Sequence, residues 1–140
     1  MKLRPFLREF LIEMQKLFEI IVFTAAEKDY GKNAIDFIEQ GEKIFAHILY
    51  KDDCTVRISN RLYKNLYILT SNRNLSNIVI LDNSISNFSL FICNGIPIKE
   101  YRGDPNDYEL CKILRLLEEI FDSNDPTEII KEDIVKFLLK

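Results

Sequence analysis

The chain has 140 residues, of which 47% are hydrophobic and 29% are charged, the balance of a soluble globular domain with a core. Nineteen basic and 22 acidic side chains give a formal net charge of −3, which argues against a general nucleic-acid binder. Four Gly and four Pro exclude a linker-rich or mostly disordered chain, and no apolar run approaches the roughly 18 residues that cross a bilayer.

The first third of the chain predicts a helix, a strand and a second helix. Apolar residues recur at three- and four-residue spacing over Pro5–Phe18, and Pro5 suits the first helical turn. The run Glu19–Thr24 is rich in β-branched residues and does not alternate, which is typical of a strand buried on both faces of a parallel sheet. Helical spacing returns over residues 27–40, and Gly41 follows as a stop.

The middle of the chain predicts short strands. Ile44–Tyr50 and Thr55–Ile58 read as strands, joined by a charged turn at Lys51–Asp53. In Ser76–Ser84, four apolar residues end abruptly in a carboxylate, an amide and a hydroxyl. Gly95–Ile98 predicts one more short strand.

Two helices are predicted at the end of the chain. Asp107–Phe121 has an apolar face at helical spacing. Asp125 followed by Pro126 predicts the N-cap and first turn of a C-terminal helix over residues 125–140. The order of helices and strands indicates the α/β class. Without a repeat or a linker, we expect one domain over residues 1–140.

The cysteines and the N-terminus predict an intracellular protein. Cys54, Cys93 and Cys111 are odd in number and widely spaced, which favours reduced, structural thiols over a disulfide framework or a zinc site. Glu9 and Glu13 interrupt the apolar positions near the N-terminus, so neither a signal peptide nor a transit peptide is predicted. We therefore expect a nuclear or cytoplasmic location.

Polar residues follow two of the predicted strands. Thr24 ends the first, and Asp82, Asn83 and Ser84 end another. Ligands of parallel sheets bind beyond the carboxyl ends of strands, where a Thr hydroxyl can hold a phosphate oxygen and Asp and Asn oxygens can hold Mg²⁺. Taken alone, these residues favour a simpler interpretation, in which Thr24 caps a helix and Asp82 and Asn83 form a turn.

The order of several longer motifs changes this judgement. They are Arg4–Leu7 with Glu9–Leu11, Phe18–Ala25, Phe45–Tyr50 with Cys54, Tyr63–Leu66, Val79–Ser84, Asn94–Ile98, and Gly103-Asp104 with Asp107 and Glu109-Leu110. From Arg4 to about Phe121, the chain closely resembles the small CTD phosphatases and Dullard-type phosphatases. These form the NLI-interacting-factor-like branch of the haloacid dehalogenase superfamily. The resemblance implies a haloacid-dehalogenase-like Rossmannoid parallel sheet flanked by helices.

The resemblance also implies a Mg²⁺-dependent phosphatase that acts on phosphoserine or phosphothreonine in proteins. In that family an aspartate attacks phosphorus and forms an aspartyl-phosphate, which water hydrolyses, while a second aspartate two residues later acts as acid and base. Thr24 matches the Thr that binds the phosphoryl group, and Lys64 matches the Lys that offsets its charge. Asp82 and Asn83 match the metal-binding loop. Without the resemblance, Lys64 would be read as a solvated surface lysine.

The catalytic motif of that family is missing from this sequence. An apolar strand ending in Asp-x-Asp-x-Thr or Asp-x-Asp-x-Val would precede Arg4, and residues 1–140 contain no Asp-x-Asp at all. The resemblance places that strand centrally, between Ile20–Phe23 and Ile78–Leu81. We therefore expect a domain truncated at its N-terminus, with no nucleophile or general acid, weak or absent Mg²⁺ binding, unpaired strand edges and poor stability.

Two classes of function stay open. One is a fragment of a phosphatase that acts on phosphorylated proteins and is inactive as written. The other is a pseudophosphatase that binds a phosphoprotein or another protein partner without hydrolysis, including a role like that of a mitochondrial translocase subunit of the same fold. A decayed domain with no activity is a third and plainer alternative. None of these interpretations includes nucleic acid or a membrane segment.

Overall fold

A computed structural model describes residues 2–140, which divide into two compact units. The first unit contains the residues up to Cys54 and Tyr101–Leu117, and the second contains Thr55–Glu100 and Glu118–Lys140. Within this part of the chain, the six strands form three two-stranded sheets. Each unit is described by itself below.

The first unit combines a parallel strand pair with helices. Its elements are α1 (Leu7–Gln15), β1 (Ile21–Phe23), α2 (Lys28–Glu39), β2 (His47–Leu49), α3 (Lys51–Cys54) and the part of α4 (Glu109–Asp122) up to Leu117. Strands β1 and β2 run parallel, with Val22 opposite Ile48. Its buried apolar side chains are Phe10, Leu11, Met14, Ile35, Ile44, Phe45, Cys54, Leu110, Ile113 and Leu117. The predicted α/β pattern is therefore present, with shorter elements.

Three local expectations in the first unit were wrong. Helix α1 begins at Leu7, because Phe6 adopts a left-handed φ of 67°, so Pro5 precedes the helix instead of lying in its first turn. The residues of β1 are half-buried, not buried on both faces. The predicted turn after β2 is the short helix α3, since the Asp53 carboxylate accepts the Tyr50 N–H at 3.0 Å and closes a helical turn.

The start of the chain is tied to the loop before α4. Arg4 donates through Nε and Nη2 to the two carboxylate oxygens of Asp107, both at 2.9 Å, and the two side chains are only 11% and 10% exposed. The Phe6 ring stacks on Tyr108 with centroids 5.9 Å apart. Asp107 also accepts the Glu109 N–H, the first backbone N–H of α4, at 3.1 Å. This carboxylate fixes both the N-terminal segment and the start of a helix.

The second unit contains a hairpin, a parallel strand pair and the C-terminal helix. Its elements are β3 (Thr55–Ile58), β4 (Arg61–Lys64), 3₁₀ segments at Leu66–Leu69 and Leu75–Asn77, β5 (Ile80–Asp82), 3₁₀ turns over Ile85–Asn94 that are interrupted at Phe88 and Phe91, β6 (Gly95–Pro97), the remainder of α4, and α5 (Pro126–Leu138). Strand β3 has the predicted bounds, whereas β4 was not predicted. Helix α5 begins where expected, but the Asp125 side chain makes no capping hydrogen bond.

The strand pair of the second unit is anchored by one close contact. Strands β5 and β6 are parallel, with Ile80 opposite Gly95. Phe88 has no exposed surface, and a Cβ placed on Gly95 would lie 2.0 Å from two carbons of its ring. Only a glycine leaves space for the ring at this point. The loop that follows β5 is therefore fixed by an aromatic side chain packed on the backbone of β6.

Strands β1 and β5 each have one side that no other strand of residues 2–140 pairs with. Among residues 2–140, β1 pairs with β2 alone and β5 with β6 alone. Such strand edges present unpaired N–H and C=O groups on which a further strand can add. Both strands end in residues singled out from the sequence, since Thr24 follows β1 and Asp82 ends β5.

Candidate functional site

Lys64 and Asp82 form a buried ion pair in the second unit. Lys64 ends β4 and Asp82 ends β5, and the Lys64 Nζ donates to Asp82 Oδ2 at 2.5 Å. The two side chains are 12% and 3% exposed, which distinguishes this pair from an ordinary surface salt bridge. Lys64 is thus not the solvated surface lysine of the simpler interpretation. Removing the Lys64 charge would leave the Asp82 carboxylate buried without its counterion.

Two further groups donate to the same carboxylate. The Ser84 N–H donates to Asp82 Oδ1 at 2.9 Å, and the Asn87 Nδ2 lies 3.2 Å from Oδ1 and 3.3 Å from Oδ2. The Ser84 contact is an Asx-type turn, so the predicted turn and the predicted ion site occupy the same residues. Three groups thus satisfy both oxygens of Asp82.

The loop after β5 holds these donors in place. The Asn87 N–H donates to the Ser84 carbonyl at 3.1 Å, and the Ser84 and Ser86 hydroxyls are 2.8 Å apart. Phe88, the next residue, is the side chain buried against Gly95. Asn87 was not predicted as a site residue from the sequence. The one feature that could have indicated it is an amide next to an aromatic residue, Phe88, in the loop that follows Asp82.

Asn83 and Asp82 were predicted as metal ligands, and the described residues do not fit a Mg²⁺ ion by themselves. The oxygens of Asp82 already accept from Lys64, Ser84 and Asn87, and Asn83 is exposed. Within residues 2–140 there is no group of three or more His, Cys, Asp or Glu side chains arranged to hold a metal. Mg²⁺ demands near-octahedral oxygen ligation, which one saturated carboxylate and one exposed amide do not supply.

Thr24 lies in the first unit, directly after β1. Its N–H donates to the Leu49 carbonyl at 3.0 Å, and its Oγ1 accepts the Ala26 N–H at 3.0 Å. Because α2 has Glu27 at its N-cap position, Thr24 does not cap that helix. The buried Cys54 thiol lies 3.4 Å from the Thr24 carbonyl. The hydroxyl of Thr24 accepts one bond here, and its proton can still be donated to an anion.

Comparison with known proteins decides the family. The sequence profile of the NLI interacting factor-like phosphatases matches residues 1–127. The chain belongs to this family. A Caenorhabditis elegans relative, CTD small phosphatase-like protein 3, is 40% identical over 119 residues, which are 85% of this chain and 40% of that protein. CTD nuclear envelope phosphatase 1 of Xenopus laevis is 29% identical over 131 residues, 94% of this chain and 52% of the relative. The relatives thus include nuclear envelope phosphatases.

A solved structure shows the same fold. The fission yeast RNA polymerase II CTD phosphatase Fcp1, bound to beryllium fluoride, matches 86% of this chain and 47% of its own, with a TM-score of 0.71 and 18% identity. This likeness confirms the expected α/β fold of the haloacid dehalogenase type. Phosphatases of this type generally use Mg²⁺. The chain spans about half, or less, of the proteins named here. None of the helices in residues 2–140 is long and apolar enough to cross a membrane.

Proposed function

We propose that these 140 residues are part of a phosphatase domain for phosphoserine or phosphothreonine in proteins, and that they are inactive without a further strand. The observation that carries the proposal is the buried Lys64–Asp82 pair in a chain of the phosphatase family that contains no Asp-x-Asp. The family chemistry needs an aspartate to attack phosphorus and a second to move the proton. Neither role can be filled by Asp82, whose oxygens already accept from Lys64, Ser84 and Asn87.

Three residues of this chain have roles in the proposed domain. The Thr24 hydroxyl, free to donate its proton, would bind a phosphoryl oxygen. The Lys64 ammonium would offset the negative charge of the phosphoryl group, as preorganised charges do in such sites. Asp82 with Asn83 would contribute oxygen ligands to a Mg²⁺ site completed by the added aspartates. Mg²⁺ binding by this chain alone is weak or absent.

The added strand has places to pair in this structure. The added strand can pair in parallel with the unpaired side of β1, which ends next to Thr24, or with that of β5, which ends at Asp82. An apolar strand carrying Asp-x-Asp at its carboxyl end would bring both aspartates to an edge where ligands of parallel sheets bind. The odd number and wide spacing of Cys54, Cys93 and Cys111 support a reducing, intracellular setting, nuclear or cytoplasmic.

Complementation in trans tests this proposal. The chain is mixed with a synthetic peptide that has an apolar strand ending in Asp-x-Asp-x-Thr, and phosphate release from a phosphoserine peptide is followed with Mg²⁺ present. We expect release only with this peptide, and none with a control peptide in which Asn replaces both aspartates. Lys64→Met should abolish the complemented activity. Binding of the active peptide is measured separately, by fluorescence polarisation of a dye attached to the peptide. If the chain binds this peptide and still releases no phosphate, the proposal is refuted.

The second candidate is a pseudophosphatase that binds a phosphoprotein or protein partner without hydrolysis, including a translocase-subunit-like role. This candidate is favoured by the hydrogen bonds of Asp82, whose oxygens already accept from Lys64 and Asn87. A carboxylate held in this way cannot attack phosphorus, while the Lys64 ammonium beside it can still attract a phosphate group. A phosphoserine peptide that binds the chain alone, with the affinity lost in Thr24→Val, would support this candidate. The unphosphorylated peptide serves as the control.

A further inference from the structure

Asn87 lies outside the motifs that carry the family resemblance, yet its side chain contacts Asp82 of the candidate site. Its Nδ2 is nearly equidistant from the two oxygens of Asp82, at 3.2 and 3.3 Å. Two acceptor oxygens would repel each other at this distance, so the amide must present its NH₂ group to the carboxylate. Asn87 is therefore a donor to Asp82 in this arrangement.

The contacts of Asn87 complete the bonding capacity of that carboxylate. An ionised carboxylate has about four acceptor positions. Lys64 takes one, the Ser84 N–H takes a second, and the Asn87 amide contacts both oxygens. A cation that approached Asp82 would have to displace one of these donors. The ammonium of Lys64 already supplies the positive charge that a metal would bring.

The position of Asn87 is fixed by its neighbours. Its own N–H is bonded to the Ser84 carbonyl at 3.1 Å, and the adjacent Phe88 is completely buried against Gly95. The backbone of residue 87 is thus held in place, and its side chain is oriented by the contacts to Asp82. This makes Asn87 a built part of the site and not a mobile surface side chain.

We propose that Asn87 is a positioning residue that orients the Asp82 carboxylate toward Lys64 and, together with that ammonium, closes it to divalent cations in this chain by itself, without the added aspartates. The inference rests on the proposed function in taking Asp82 as a residue of the phosphatase site. It adds that the side chain at position 87 sets the cation affinity of this chain. A carboxylate at position 87 would no longer donate to Asp82 and could itself bind a cation, so the affinity for divalent cations should rise.

The test measures Mn²⁺ binding to the whole chain and to two variants. Asn87→Asp replaces the donor by a second carboxylate, and Asn124→Asp adds the same charge at an exposed position of the same unit. We expect Asn87→Asp to bind Mn²⁺ at least about tenfold more tightly than the unchanged chain. Paramagnetic broadening should be strongest at the amide signals of residues 82–88 and weaker with distance from Asp82. Asn124→Asp should bind as the unchanged chain does. Equal Mn²⁺ affinity for both variants would overturn the proposal.

A second measurement uses the unchanged chain, so it does not depend on whether a variant folds. In the unchanged chain the side-chain NH₂ protons of Asn87 should exchange with solvent at least about tenfold more slowly than those of Asn124. Equal exchange rates would refute the assigned contact. Because no phosphate ester is present, failure of these tests is distinguishable from failure of the complementation assay.

Discussion

Replacing Lys64 by Met should destabilise the chain far more than replacing Asp82 by Asn. Lys64→Met leaves a carboxylate that is 3% exposed without its counterion. Breaking a buried pair in this way costs about 3–5 kcal/mol, and we expect the lower end because Ser84 and Asn87 still donate to Asp82. Asp82→Asn leaves an ammonium on a flexible stem that can turn toward water, so a cost of about 1–2 kcal/mol is expected.

The double variant separates the ion pair from simple packing. Lys64→Met with Asp82→Asn leaves no buried charge, so its free energy of unfolding should lie above that of Lys64→Met alone. The resulting coupling energy should be about 2 kcal/mol, within the range for contacting residues. Urea unfolding at pH 7 measures all four proteins, and equal m-values show that the comparison is valid.

A matched surface pair provides the control. Lys112 donates to Glu109 at 3.1 Å, but its side chain is 67% exposed. Lys112→Met should therefore change the free energy of unfolding by no more than about 0.5 kcal/mol. If Lys64→Met is as mild as this control, or if the effects of the two site variants simply add, the pair is not a buried ion pair and the reasoning fails.

Three other changes test separate features of the structure. Asp133 on α5 has a buried oxygen with no hydrogen-bond partner among residues 2–140, and burial raises the pKa of its carboxyl. Since the pKa of Asp133 is higher in the folded state than in the unfolded state, its charged form lowers the stability at neutral pH, and this cost disappears in acid. Asp133→Asn should therefore raise the Tm at pH 7 but not below about pH 3.5. An equal gain in Tm at both pH values would contradict this. Ser59 and Asn60 both have positive φ in the two-residue turn between β3 and β4, so Ser59→Asn with Asn60→Gly should stabilise the chain by about 1 kcal/mol in urea unfolding. Gly95→Ala must displace the Phe88 ring and should cost at least about 2 kcal/mol, whereas an unchanged urea midpoint would show that the ring does not lie there.

The order of elements could be predicted from the sequence because it depends on local hydrophobic spacing. Helix α2 differs from its predicted bounds by one residue at each end, and β3 has its predicted bounds. The strands Ile21–Phe23 and Ile80–Asp82 are shorter than their apolar runs, since only three residues of each have a partner strand. Pairing is a tertiary property that a run of apolar residues does not reveal.

The parts of the fold that escaped prediction depend on contacts between distant residues. Strand β4 has Arg and Lys at its ends and lacks an Asn-Gly turn before it, so its pairing with β3 has no strong local signal. The left-handed φ of Phe6 shortened α1 in a way that its apolar spacing does not show. Both cases required the folded chain.

The candidate site was predicted in part. Residue types alone favoured a plain turn at Asp82 and a surface role for Lys64, and only the family resemblance drew attention to both. Their contact joins residues 18 positions apart on two different strands, which spacing rules do not address. Asn87 escaped because its role depends on how the loop folds under Phe88. The positions of Thr24, Lys64, Asp82 and Asn83 in a working site stay predictions.

Phosphate release from p-nitrophenyl phosphate is the most direct test of the central claim that this chain lacks the nucleophile of its family. The chain alone, with and without Mg²⁺, should give no release above background, because residues 1–140 contain no Asp-x-Asp and Asp82 is held by Lys64 and Asn87. Mg²⁺-dependent release that disappears in Asp82→Ala would contradict the account.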